Sequence, residues 1–164
     1  MNERRGQVAT EFMMYSTIFL FVVIAAFLMV NHIQATEISI RENAVARETG
    51  EGFVHVLTLA VKGGEGFTYN YTFPRALYSA TGKVGIPYRV YFQPQDSNSI
   101  IMEWPGSYGN FSYAYSLPAY DYHFIADGDC IGVLDGTTQH YLESAECSRI
   151  FLSNEAGVLT ISRG

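Results

Sequence analysis

The stretch Phe12-Met13-Met14-Tyr15-Ser16-Thr17-Ile18-Phe19-Leu20-Phe21-Val22-Val23-Ile24-Ala25-Ala26-Phe27-Leu28-Met29-Val30 carries no charged residue, and only Tyr15, Ser16 and Thr17 interrupt its apolar character. As an α-helix, its nineteen positions rise roughly 28 Å at about 1.5 Å per residue, close to a ~30 Å hydrocarbon core. A helix lying on a soluble core keeps one polar face, whereas this run is apolar all round. It therefore reads as a membrane-spanning helix. Arg4 and Arg5 precede the run, so the amino terminus is expected on the cytoplasmic side and the chain after Val30 outside.

Beyond Val30 the helical pattern continues. Ile38, Val45, Gly52 and Leu59 recur every seven residues, with Thr49 and Val56 on nearly the same face, and Glu37 and Arg41 form a favourably oriented i,i+4 pair. One face is expected to pack on a sheet or on other subunits. Gly50 and Gly52 each weaken a helix by about 1 kcal/mol relative to Ala and mark a place for a bend or break. Gly63-Gly64 is the next stop. An unbroken helix over 7–62 would measure about 84 Å.

The composition then changes. Eleven of the twelve tyrosines lie between Tyr69 and Tyr141, and every aspartate lies at or beyond Asp96. Period-two alternation marks strands at Phe67–Phe73, Asn110–Tyr115 and Tyr120–Phe124, each with an aromatic row on one face. Further strands are expected at Val84–Phe92, with Pro87 as an irregularity, and at Ile100–Trp104, Ile131–Leu134, Arg149–Leu152 and Val158–Ser162. Turns are expected over 93–98 and 105–109. The expected fold is α+β: a long amino-terminal helix packed on a carboxy-terminal antiparallel β-sheet domain. Its parts are residues 1–6, a helix over 7–62 containing the apolar span 12–30, and a β-rich domain over 63–164.

The residues ahead of the apolar run, Arg4-Arg5-Gly6-Gln7-Val8-Ala9-Thr10-Glu11, resemble the class III signal peptide of archaeal type IV pilin-like proteins. Gln7 and Glu11 match that family's pattern, while Ala9 stands where the family has Ser and Tyr15 where it has Leu. The resemblance implies that a membrane aspartyl peptidase cuts between Gly6 and Gln7, leaving the apolar helix on the mature chain. It implies partners too: identical or related pilin subunits in a helical filament, the prepilin-type signal peptidase, and the membrane before assembly. It also implies that Glu11 neutralises the new amino terminus of a neighbouring subunit and so sets register. Physically, two charges that are costly alone in an apolar bundle offset each other there. The bare residue fits two other roles: an interfacial carboxylate, or one favouring the dipole at a helix start.

Several other motifs have two readings. Asn70-Tyr71-Thr72 and Asn110-Phe111-Ser112 are N-glycosylation sequons, with Asn70 and Asn110 opposite their aromatic rows, or they are ordinary strand asparagines. Cys130 and Cys147, the only cysteines, are expected to pair if the domain is extracellular. Asp121, Asp127, Asp129 and Asp135 lack the order of a calcium loop and read as turn residues, and the four histidines have no metal-ligand spacing. No cofactor or metal is expected. Neither a nucleophile elbow nor a phosphate loop is present, so the chain does not read as an enzyme. A net charge of −6 without a basic patch argues against nucleic acid. Two alternatives share these features: a single-pass membrane-anchored surface adhesin, and a pseudopilin of a secretion or uptake system.

Overall fold

The computed structural model describes residues 3–78, 85–93, 98–106 and 109–164, with side chains from Thr10 onward. The expected strand start at Val84 and the centres of the two expected turns, 94–97 and 107–108, lie outside the described residues. One helix, α1, runs from Glu3 to Gly63. The chain divides into two compact units, Met1–Ile38 and Ser39–Gly164.

In the first unit every described side chain from Thr10 to Gln34 is exposed. One of its polar interruptions is handled within the helix: the Thr17 hydroxyl donates to the Met13 carbonyl at 2.8 Å, one turn back. The hydroxyl therefore needs no partner from the surroundings.

The second unit contains the rest of α1 and, among the described residues, eleven strands. These are β1 (Thr68–Thr72), β2 (Leu77–Tyr78), β3 (Gly85–Ile86), β4 (Arg89–Phe92), β5 (Ser99–Gly106), β6 (Gly109–Ser116), β7 (Asp121–Phe124), β8 (Ile131–Val133), β9 (His140–Glu143), β10 (Arg149–Glu155) and β11 (Val158–Arg163). They form a four-stranded sheet in the order β1-β10-β11-β7, a five-stranded sheet in the order β6-β5-β4-β9-β8, and the small pair β2-β3. All pairings are antiparallel except β11 with β7. Pro87, which has no N–H to donate, separates β3 from β4. Ala156 and Gly157, both at positive φ, make the two-residue turn between β10 and β11.

The buried stripe of α1 is Glu42, Ala46, Gly50, Phe53, Leu57 and Ala60. The heptad stripe expected from the sequence runs beside it: Val45, Thr49 and Val56 are half-buried, while Gly52 and Leu59 face outward. A strict seven-residue repeat drifts about 20° per repeat on a straight helix, so it leaves the packing face that a 4-4-3-4-3 spacing follows. Phe53 joins both sheets to the helix, with ring centroids 5.4 Å from Phe73, 5.6 Å from Tyr71 and 6.3 Å from Phe92. Around it lie Ile150, Leu152, Leu159 and Ile161 of the four-stranded sheet and Val90, Ile100, Met102 and Leu142 of the five-stranded one.

The expected break at Gly50 and Gly52 is absent; α1 passes through both. Gly50 is small because the Tyr115 ring occupies its side-chain space: a Cβ there would lie 2.3 Å from that ring, whereas at Gly52 it would meet nothing within 4 Å. The same substitution should therefore have opposite signs two residues apart. Gly52→Ala is expected to stabilise by about 0.5–1 kcal/mol through helix propensity. Gly50→Ala is expected to lose more to overpacking, about 1–3 kcal/mol, than it gains from that preference. Urea unfolding of the two variants checks both signs.

The helix ends where Gly63-Gly64 places it, with Gly64 in the left-handed region. Asn154, wholly buried, fastens that end. Its side-chain amide donates to the Ala60 carbonyl at 3.0 Å, its Oδ1 accepts from the Tyr120 hydroxyl at 2.8 Å, and its backbone N–H donates to the Phe67 carbonyl.

Candidate functional site

The expected processing and assembly residues fall on one helix. Backbone positions 6 and 7 are helical, but the side chain of Gln7 lies outside the described residues. Glu11 is exposed, one turn beyond Gln7 in sequence. It is followed by the exposed apolar run, in which Phe12, Phe19, Phe21 and Met29 each keep more than 60% of their surface accessible. By length and composition this helix can cross a membrane. The exposure is the reverse of what a water-soluble surface shows, because soluble chains do not leave contiguous apolar patches of this size uncovered.

The sequons sit in the second unit, on different sheets. Asn70 and Thr72 are exposed on β1, the outermost strand of the four-stranded sheet; Asn110 and Ser112 are exposed on β6, the outermost strand of the five-stranded one. Their aromatic rows are graded rather than uniformly buried: Phe73 and Tyr115 are buried, Phe67, Tyr71 and Phe111 half-buried, and Tyr69 and Tyr113 exposed.

Cys130 and Cys147 form a disulfide, both ends fully buried. It joins the start of β8 to the segment leading into β10, so one covalent link runs between an edge of the five-stranded sheet and the approach to the four-stranded one. Asp127, just ahead of it, is a turn residue: its Oδ1 accepts from the N–H groups of Asp129 and Ile131, and its Oδ2 accepts from Arg163 at 3.1 Å. Burial opposes its ionisation, but the Ile131 N–H and the Arg163 guanidinium outweigh this and hold its carboxyl below the usual range. Among the described residues no group of three or more His, Cys, Asp or Glu is arranged to hold a metal ion.

Two features lie beyond what the sequence motifs marked. A groove of about 460 Å³ runs between α1 and β6, lined by Arg47, Glu51, His55 and Tyr113. Arg47 pairs with Glu51 at 2.7 Å and lies 6.0 Å from the Tyr113 ring centre. At the groove floor, the Tyr115 hydroxyl donates to the Arg47 carbonyl at 3.3 Å, and burial pushes this phenol up to about 12.

The second is a cavity of about 320 Å³ against β4, β5, β6 and β9. Arg89 lies in register between Glu103 of β5 and Glu143 of β9, pairing with Glu143 and sitting 5.8 Å from the Tyr141 ring centre. Asn110 enters from β6, and Pro87 and Pro105 provide apolar walls. The single tryptophan, Trp104, also lines it; its buried Nε1 has no hydrogen-bond partner among the described residues. A lone Trp in an alternating strand was the available sequence signal, but the partners converge from positions far apart in the chain.

One titratable contact ties the sheets together. His140 of β9 stacks on Phe124 of β7 with centroids 4.7 Å apart, and Phe124 packs on Phe92 at 4.4 Å. Burial, then the neighbouring His123, pushes His140 below the ordinary histidine value. The native state thus binds fewer protons than the unfolded chain through this range. Stability is expected to be full above about pH 6.5 and to fall as pH drops through His140's depressed folded value. His140→Gln should flatten the pH dependence of urea midpoints between about pH 7 and 5; an unchanged slope would remove His140 as its source.

The fold and these positions define a class: an α+β protein whose sheets pack on the second half of a helix that is apolar enough, in its first half, to cross a membrane. Comparison with protein-family models, curated proteins and solved structures finds no match for the chain.

Proposed function

We propose that the chain is a structural subunit, major or minor, of an archaeal type IV pilus-like filament, cut after Gly6 and assembled through its amino-terminal helix. The precursor sits in the cell membrane with its amino terminus cytoplasmic, and the mature domain is carried outside on the filament. One observation carries this reading: a carboxylate, Glu11, stands one turn after the Gly6-Gln7 junction, at the lip of an uncharged run whose side chains are all exposed. A plain anchor needs the run but neither the junction nor the carboxylate, which costs energy at a membrane edge.

The buried disulfide and the exposed sequon asparagines support an extracellular domain, since disulfides persist in oxidising surroundings. Asn70 and Asn110 are candidate glycan carriers. On the adhesin and pseudopilin readings the domain is also outside, so these features favour none of the three.

The test is the amino terminus of the protein recovered from cells, read by terminal-peptide mass spectrometry. A start at Gln7, free or cyclised, is expected. A start at Met1 or Asn2 would favour the plain membrane anchor, and one beyond Val30 would end the pilin reading.

A further inference from the structure

We infer that Asn70 and Asn110 carry N-linked glycans that guard the two unprotected sheet edges of the domain against pairing with other chains. The inference rests on the extracellular placement proposed above and adds what the glycans do there.

Among the described residues, the two larger sheets end at β1, β7, β6 and β8. An edge strand offers unpaired N–H and C=O groups to any chain that lies beside it, and proteins blunt such edges with charge, Pro, shortness or cover. Two of these edges are blunted in that way. β7 is short and carries an exposed Asp121. β8 has three residues, and the loop before it folds back so that the Ile131 carbonyl accepts from the N–H groups of Asp127 and Gly128. β1 and β6 differ: neither contains a charged residue or a Pro, and both are rich in aromatic residues. That is the composition of strands that pair with copies of themselves. These are the two strands that hold the sequons.

Register puts each sequon on the open side. Along an antiparallel ladder, residues alternate between exchanging both hydrogen bonds with the partner strand and turning both groups away from it. The Phe73 N–H donates to the Ser148 carbonyl, so, counting back, Tyr71 and Tyr69 face β10, and Thr72, Asn70 and Thr68 turn outward. The Leu117 N–H donates to the Asn98 carbonyl, and the same count along β6 turns Ala114, Ser112 and Asn110 away from β5. Each asparagine is therefore rooted in the open row itself, and both are exposed. A glycan is bulky and solubilising, so no strand can close on that row while it is there. The donor is an oligosaccharide linked through phosphate to a lipid. The asparagine Nδ2 bonds to the anomeric carbon, the bond from that carbon to the phosphate oxygen breaks, and the proton lost from Nδ2 leaves with the lipid phosphate.

The full chain is purified in detergent from cells that glycosylate it, and glycopeptide spectra read both asparagines. Two double variants lack both sequons. Thr72→Ala/Ser112→Ala leaves the edges bare. Thr72→Glu/Ser112→Lys puts a charge on each edge instead, opposite Arg149 and Glu103 in register. Both asparagines are expected to be glycosylated, and the parent and the charged variant to sediment as single species. The alanine variant should assemble, with the backbone amides of 68–72 and 110–114 exchanging with deuterium roughly tenfold slower than in the parent. Misfolding would speed that exchange, so protection at the edge separates strand pairing from unfolding. Unmodified asparagines, an alanine variant as dispersed as the parent, or assembly that the charged variant does not reverse each overturns the inference. None of these readouts depends on processing or filaments, so their failure leaves the pilin reading standing, and a start other than Gln7 leaves the edge guard standing.

Discussion

Glu11→Val is expected to leave cleavage after Gly6 intact while nearly abolishing filaments. On the pilin reading, each subunit's Glu11 faces a neighbour's new ammonium inside an apolar bundle, so removing it strands that charge. Breaking one member of a buried pair costs about 3–5 kcal/mol. At about 1.4 kcal/mol per factor of ten, that is a loss of more than a hundredfold in the equilibrium for adding a subunit. The measurement is filament protein sheared from cells, set against cleaved subunit retained in membranes. Glu11→Gln separates charge from shape, and should fail like Val if the pairing is ionic. Filament yield at the parental level in both variants would sink the register role and leave Glu11 an interfacial carboxylate. It would also be the result if Gln7 cyclises, which deletes the ammonium, so the mass of the mature terminus must be read on the same samples.

Removing the disulfide is the second large effect, and it acts on the domain rather than on assembly. Cys130 and Cys147 are 17 residues apart, and closing a loop of that size stabilises by roughly 3 kcal/mol on the chain-entropy model. The Cys130→Ala/Cys147→Ala double variant is expected to lose about that much, lowering the melting temperature by roughly 10 °C for a domain of this size. Both sulfurs are buried, so the double variant also removes core volume, and the loss should not fall below the entropic figure. Urea unfolding followed by Trp104 emission checks it. An unchanged midpoint would mean that the unfolded chain is not loosened by losing the link, the assumption on which the figure stands.

Large parts of this architecture are legible in the residues because they depend on local pattern. The apolar run, the Gly63-Gly64 stop and the aromatic strands at 67–73 and 110–115 all announce themselves by period or by backbone freedom. The register of the helix on its sheets does not. Gly50 reads as a weak point until Tyr115, far along the chain, fills the space above it. The strand β2 escapes because two residues are too few to show alternation, and β9 because His140-Tyr141-Leu142-Glu143 does not alternate between buried and exposed. The parallel placement of β7 beside β11 follows from tertiary packing that no local signal encodes. The cavity beside Arg89 is hidden for a related reason: Arg89 and Glu143 come together only when β4 and β9 pair. The sequon at Asn110 marks its rim, but nothing in that triplet points to the cavity beside it.

On the pilin reading, the hydroxyl of Thr17, satisfied by its own helix, bears on the economy of assembly. A segment that leaves a bilayer for the interior of a filament changes solvent from lipid tails to other apolar helices. Those two media are nearly equivalent for an aliphatic surface, so the hydrophobic effect hardly distinguishes them. Because the helix keeps its backbone bonds and this hydroxyl bond internal, the transfer breaks none of these. On the pilin reading, the step is then close to neutral in free energy along the apolar span, and its direction is decided by few terms: a pairing of Glu11 with a neighbour's ammonium at one end and contacts of the folded domain at the other. On that reading, the apolar span itself sets little barrier to a subunit's return to the membrane, and retention in the filament falls to those end contacts.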